Sequence, residues 1–212
     1  RAEILDCAVC LFSYVLEVDF DSDFYYDSAP LPALKSQDAS GRVIYMGTFS
    51  KSLGAGLRVG YLVLPPQIFE AAMTAKSLLN NCSTWLIQAL LADFLASGAY
   101  QHHLRRIRMI YAGRRDALVG ALGEHFGPGG VSGAQSGMHL AWKVPRDLPT
   151  ALEIERRSRD VGVGVYSFQT GNAHVHGERA RAACTRTMML GYAALTESEI
   201  QEGIDRIARA MA

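Results

Sequence analysis

The 212-residue chain has no excess of charge of either sign: 21 lysines and arginines balance 21 aspartates and glutamates. A surface built to bind DNA needs surplus cations to neutralise phosphates, so this balance argues against a dedicated nucleic-acid module in these residues. The one basic cluster, Arg105, Arg106, Arg108, Arg114 and Arg115, reads as the solvated face of a helix. Cysteine is scarce, with four in all. Cys7 and Cys10 have the spacing of metal ligands but no second pair follows, so a zinc site is not indicated; a spacing of three fits two small buried side chains on a helix. Cys82 and Cys184 stand alone, as befits a reducing compartment. No apolar run reaches membrane-spanning length, no cleavable leader pattern opens the chain, and no repeat or low-complexity segment interrupts it. We therefore expect a soluble cytoplasmic protein. An initiator methionine is also missing, and further residues are expected ahead of Arg1 in the intact protein.

Apolar residues are plentiful, at 49% of the chain, enough to bury a sizeable core over one or two domains. Residues 1 to about 75 alternate strand and helix patterns, as in a parallel sheet covered on both faces. Leu86, Ile87, Leu90, Leu91, Phe94 and Leu95 then trace a helical stripe that stops near Ser97-Gly98. A longer helix is predicted from about Tyr100 to Leu122, with Leu104, Ile107, Tyr111, Leu118 and Leu122 on its buried side. Past the turn-rich Gly127-Pro128-Gly129-Gly130, strands are predicted at 139–144, near 163–166 and at 187–190, the pattern of a small α+β domain. Thr196-Glu197-Ser198-Glu199 is a capping box, and Ile200, Ile204, Ile207 and Met211 follow at helical spacing.

The segment richest in chemistry runs from Thr48 through Phe49-Ser50-Lys51-Ser52-Leu53-Gly54-Ala55-Gly56-Leu57-Arg58 to Tyr61. One amine sits among groups suited to a phosphate. A lysine amine can form a Schiff base with an aldehyde, Thr48 and Ser50 can donate to phosphate oxygens, and Arg58 can present its planar fork to two of them at once. Gly54 and Gly56 allow a tight turn. The strand-like Val43-Ile44-Tyr45-Met46 leads in, and Val59 to Leu64 leads out until Pro65-Pro66 ends it, so the lysine is expected on a loop between two strands.

This segment resembles the lysine loop of fold-type I pyridoxal-phosphate proteins, and the upstream stretch Phe20 to Leu34, FDSDFYYDSAPLPAL, is similar to one branch of them, the MocR group of bacterial regulators. Members join a GntR-type winged helix-turn-helix domain to an aminotransferase-like domain. The resemblance spans essentially the whole chain. It implies an α/β fold: residues 1–98 as the back half of the large cofactor-binding domain with a mostly parallel sheet, 99–123 as a connecting helix, and 124–212 as a small C-terminal α+β domain. It also implies pyridoxal 5'-phosphate as cofactor, bound on Lys51 with Thr48, Ser50 and Arg58 at the phosphate and Phe20 near the ring. An amino acid or related amine or 2-oxo acid is the implied ligand. Relatives dimerise, so a homodimer is expected, with DNA contacted only through a helix-turn-helix domain absent from this chain.

Two positions depart from the family pattern. A carboxylate beside the ring nitrogen keeps the cofactor an electron acceptor, and the family supplies it from the first aspartate of a Glu-Asp-Asp-Tyr-Asp strand end. Here the stretch is Glu17-Val18-Asp19-Phe20-Asp21, with Val18 at the nitrogen partner and Phe20 at the tyrosine. Alternation along a strand puts Val18 and Phe20 on one face and Glu17 and Asp19 on the other, so Asp19 substitutes only if the strand end is re-aimed. The second departure is Met189, where aminotransferases place the arginine that grips a substrate carboxylate; Arg186 nearby would lie on the opposite face. These losses favour a sensor over a transaminase. The competing readings are a true aminotransferase acting between an amino acid and a 2-oxo acid, and a remnant that binds no cofactor. His174 and His176 read as a polar loop, His139 as half-buried and hydrogen-bonded, Trp85 and Trp142 as packing residues, and Tyr26 and Asp27 as shaping the loop into the cofactor site.

Overall fold

A computed structural model of the chain describes residues 1–27, 31–80, 84–170 and 177–211. The chain forms two compact units, Arg1–Asp23 with Ser28–Arg106, and Phe24–Asp27 with Ile107–Ala212.

In the first unit, helix α1 (Ala2–Cys10) precedes strand β1 (Val15–Asp19), and β2 (Val43–Thr48) and β3 (Gly60–Val63) complete a three-stranded sheet in the order β1-β2-β3. β1 and β2 are parallel, with Val15 opposite Val43 and Asp19 opposite Gly47. Parallel neighbours need a crossover, which residues 20–42 supply around a 3-10 turn at Leu34–Gln37. Two carboxylates bind the crossover's backbone. Glu17 accepts from the amides of Leu34 and Lys35 at 2.6 and 2.8 Å, and Asp38 accepts from those of Arg42 and Val43 at 2.9 and 2.8 Å. The expected mostly parallel sheet holds for β1 and β2, but β3 is antiparallel to β2, with Gly47 opposite Tyr61. Residues 49–59 hold only a short loop with a 3-10 turn at Ala55–Leu57, shorter than the dozen or so residues a parallel crossover needs, and the chain doubles back.

Pro65-Pro66 ends β3 and starts α2 (Pro66–Leu79), where proline's fixed φ suits the first turn. α3 (Trp85–Ala96) carries the expected stripe, yet only Leu91 is buried; Trp85 is 75% exposed rather than packed. Cys7 and Cys10 are exposed too, correcting the reading of two buried thiols: a spacing of three puts them on one helix face without saying which, and α1 buries Ala8 instead. The predicted long helix is α4 (Ala99–Phe126), and the border between the units falls within it.

The second unit contains a sheet in the order β4-β5-β7-β6, built from β4 (Val131–Ser132), β5 (His139–Lys143), β6 (Tyr166–Ser167) and β7 (Thr187–Gly191), all antiparallel. β5 and β7 alternate, sending Leu140, Trp142, Met188 and Leu190 inward. Onto that face pack Ile154 of α5 (Ala151–Asp160) and Ile200, Ile204 and Ile207 of α7 (Glu197–Met211). Burying each such aliphatic side chain contributes about 1.5–3 kcal/mol. α5 begins at Thr150, whose hydroxyl accepts from the Glu153 amide at 3.4 Å. α7 begins at the predicted capping box: Thr196 accepts from the Glu199 amide at 3.3 Å, and the Glu199 carboxylate accepts from the Thr196 amide at 2.7 Å. α6 (Glu178–Cys184) completes the elements among the described residues. No helix among the described residues is long and apolar enough to cross a membrane.

Candidate functional site

The lysine turn lies in the first unit between β2 and β3. Its base is closed by Phe49, whose amide donates to the Val59 carbonyl at 3.1 Å, and by Leu53, whose amide donates to Phe49 at 2.9 Å. Thr48 Oγ1 donates to Ser50 Oγ at 3.0 Å and accepts from the Ser50 amide at 3.1 Å, so the two hydroxyls are brought together. Lys51 is exposed, and among the described residues its Nζ has no hydrogen-bond or ion-pair partner. Gly54 has φ of 114°, a conformation open to glycine. Arg58 is left-handed at φ 51°, which costs a non-glycine residue about 1–2 kcal/mol. Its side chain is exposed at the end of the turn.

Behind Lys51 the turn is anchored by a buried polar chain that sequence reading missed. Ser52 Oγ lies 2.9 Å from Tyr100 Oη, which donates to an Asp23 carboxylate oxygen at 2.9 Å. His103 Nε2 is 2.8 Å from the Ser52 carbonyl, and the Tyr100 ring meets Phe49 edge-on at 5.8 Å. Burial, reinforced by Asp23 and opposed by the bond from Ser52, pushes the Tyr100 phenol up to about 12. Protonated throughout the ordinary pH range, it gives its hydrogen to Asp23, which leaves its oxygen to accept from Ser52. The pairs are 48 and 77 residues apart, and no local pattern announces them.

Val18 and Phe20 lie together as the alternation requires, 49% and 51% exposed, along a groove of about 860 Å³ shared with Thr48, Tyr61, Phe69 and Met73. Asp19 also borders this groove, but its carboxylate accepts from Tyr45 Oη at 2.6 Å and from the Ser22 amide at 3.1 Å. Burial alone would raise its pKa; those hydrogen bonds outweigh burial and hold it below the ordinary carboxylate value. Tyr61 lies across Gly47, where an added Cβ would fall 2.4 Å from the ring, and stacks near Phe49 at 5.6 Å and Tyr45 at 6.1 Å.

The second unit holds the other singled-out residues. Met189 lines an apolar cavity of about 340 Å³ with Val163, Val165 and Tyr166. Arg186 is spent on backbone: it donates to the carbonyls of Val144 and Leu148 at 3.4 and 2.7 Å, and to that of Pro145. His139 is exposed rather than half-buried. Tyr26 and Asp27 meet Arg115, which belongs to no solvated face: it is 8% exposed, pairs with Asp27 and Asp116, donates to the Ala134 carbonyl at 3.1 Å and lies 5.0 Å over the Tyr26 ring. Arg105 and Arg106 are exposed as read. Among the described residues no group of three potential ligands can hold a metal; His174 and His176 lie outside them.

An amine without a hydrogen-bond or ion-pair partner among the described residues, on one turn with two hydroxyls and an exposed guanidinium, fits a phosphorylated aldehyde. Val18 itself offers nothing to a ring nitrogen, and the Asp19 carboxylate bordering the same groove is taken up by Tyr45 and Ser22, so the donor set fits the cofactor's capture better than its full activation. The aminotransferase class I and II family profile matches residues 20–207. The chain is 34% identical over 215 residues to the HTH-type transcriptional regulator YdeL of Bacillus subtilis (strain 168), covering 99% of this chain and 44% of that protein. It is 34% identical over 200 residues to the probable rhizopine catabolism regulatory protein MocR of Rhizobium meliloti, covering 93% and 39%. Among solved structures, the α-aminoadipate aminotransferase LysN of Thermus thermophilus, complexed with N-(5'-phosphopyridoxyl)-L-leucine, superposes with a TM-score of 0.81 at 28% identity, over 100% of this chain and 53% of that one. The chain spans less than half the length of these two regulators. A sequence match over most of its residues and a shared fold agree: the chain belongs to the aminotransferase class I and II family.

Proposed function

We propose that this chain is the pyridoxal-phosphate-binding, aminotransferase-like effector part of a MocR-type transcriptional regulator, acting as a sensor. The carrying observation is the contrast within one unit between Lys51, exposed and without a partner among the described residues on a turn with Thr48, Ser50 and Arg58, and the apolar Val18 and Phe20 on the neighbouring strand end. Lys51 would anchor the cofactor through its amine, Thr48 and Ser50 would donate to phosphate oxygens, and Arg58 would add a bidentate contact. When bound, pyridoxal phosphate supplies an aldehyde that captures amines and a ring that draws electrons from the captured group. Val18 neither holds nor gives a proton, and the Asp19 carboxylate on the same groove is already engaged by Tyr45 and Ser22, so the strand end favours capture over turnover. The regulators YdeL and MocR match nearly the whole chain, which supports placing it beside a DNA-binding part. A captured amino compound would act by binding two states of a homodimer unequally.

The test is an absorbance spectrum of the intact protein with pyridoxal phosphate, against Lys51→Ala, before and after adding amino acids. A Lys51-dependent band that amino acids shift without release of a 2-oxo acid is the expected result. Release of a 2-oxo acid would favour an aminotransferase. One observation supports that second function: Asp19, held ionised, borders the same groove as Val18 and Phe20.

A further inference from the structure

We infer that Tyr100, braced by Asp23, is the positioning residue that sets the Lys51 turn, working through the adjacent Ser52; the inference rests on Lys51 being the cofactor anchor proposed above. Ser52 and Tyr100 are 6% and 7% exposed, which makes their 2.9 Å contact a buried one directly beside an exposed amine. Each member of the pair has a further contact: His103 Nε2 is 2.8 Å from the Ser52 carbonyl, and Phe49, at the base of the turn, packs edge-on against Tyr100. Among the described residues Lys51 has no hydrogen bond or ion pair to hold its amine, so the geometry of that amine follows the residue next to it. Because the Tyr100 hydroxyl gives its one hydrogen to Asp23, the chain runs from Ser52 to Tyr100 to Asp23; the Ser52 hydroxyl also lies 3.5 Å from the Phe49 carbonyl, and these contacts together resist rotation of its side chain. Tyr100 acts on the amine indirectly, through its contacts with Ser52 and Phe49.

The test uses the intact protein as wild type, Tyr100→Phe, Ser52→Ala, the double variant and Asp23→Asn. Hydrogen exchange read by mass spectrometry over residues 49–54 requires no added compound. Loss of one buried hydrogen bond predicts roughly tenfold faster exchange of the Phe49 and Leu53 amides in either single variant. The double variant should add nothing, because both changes break the same chain. Asp23→Asn keeps an acceptor and should give a smaller effect. Protection at Leu140, Trp142 and Leu190 should stay at the wild-type level in every variant. The same proteins are then incubated with pyridoxal phosphate and fixed with borohydride. The pyridoxyl label on Lys51 should accumulate several-fold more slowly in the variants, while labelling of Lys35 and Lys143 is unchanged; a general loss of structure would move all three. Wild-type exchange of the turn in both single variants overturns the inference, as does additive behaviour in the double. If wild-type Lys51 takes no label the cofactor proposal fails, and the exchange data still decide whether Tyr100 sets the turn.

Discussion

Replacing Arg115 by alanine should destabilise the second unit by about 3 kcal/mol, and most of that should survive high salt. The ion pairs contribute little, because the carboxylates of Asp27 and Asp116 are 55% and 67% exposed, and such pairs are worth about 0–1 kcal/mol each. More comes from the bond to the Ala134 carbonyl at 3.1 Å, worth about 1.5 kcal/mol for a charged donor, and from the guanidinium over the Tyr26 ring at 5.0 Å, worth about 1 kcal/mol. Arg115→Lys keeps the charge and the stem but loses the planar fork, so about half the loss should return. Trp142, 3% exposed and 4.9 Å from Phe126, reports unfolding of this unit by fluorescence in a Trp85→Phe background. With an m-value of about 1.5 kcal/mol/M, the urea midpoint of Arg115→Ala should fall by about 2 M. A fall that disappears in about 1 M salt would refute the reasoning, because exposed ion pairs would then account for most of the loss.

Three further outcomes are expected. Burial would raise the Asp38 carboxyl, but hydrogen bonds from Arg42, Val43, Ser40 and Lys35 hold it down to about 2; its folded value lies below its unfolded one, so the stability it contributes is complete above about pH 4 and drains away as pH falls toward 2. Urea midpoints of Asp38→Asn should therefore lose the part of the pH dependence that wild type shows in that window. In the proposed site Val18 faces the ring nitrogen, so Val18→Asp would add an acid there; a nearby opposite charge raises the pKa of a base by about 1–3, so amino acids should convert the bound cofactor at least about tenfold faster in stopped-flow absorbance, and an unchanged rate with cofactor bound would remove Val18 from the site. Ile154→Ala empties a fully buried position of the second unit and should cost about 2–5 kcal/mol by the same Trp142 signal.

How much of the fold and the site was legible in the sequence depended on range. Patterns confined to a few neighbours were read well: the strands around the lysine, the proline pair that turns β3 into α2, the capping box of α7 and the isoleucines behind it. The alternation of Val18 and Phe20 against Glu17 and Asp19 also reads directly, since a strand has a period of two. Contacts across long separations had no such signal. Arg115 sat in an arginine-rich helix whose neighbours Arg105 and Arg106 are solvated, and only the arrival of Asp27 and Tyr26, 88 and 89 residues earlier, takes it out of water. Tyr100 marks only the start of the long helix in the sequence, because the hydroxyl chain to Ser52 and Asp23 exists only once the turn is folded. The direction of β3 was legible in the shortness of residues 49–59, a connection-length argument that the expectation of a mostly parallel sheet left out.

The pairing of Gly47 with Tyr61 has an evolutionary consequence. The two positions face each other across β2 and β3, and the ring occupies the space any side chain at 47 would need. They therefore share one allotment of volume: a side chain at position 47 requires the 43% exposed Tyr61 ring to swing aside, and a saturation library at position 47 should favour glycine, with larger residues enriched when position 61 is reduced at the same time. Across descendants of this sequence, sites 47 and 61 should drift as a couple, one growing where the other shrinks.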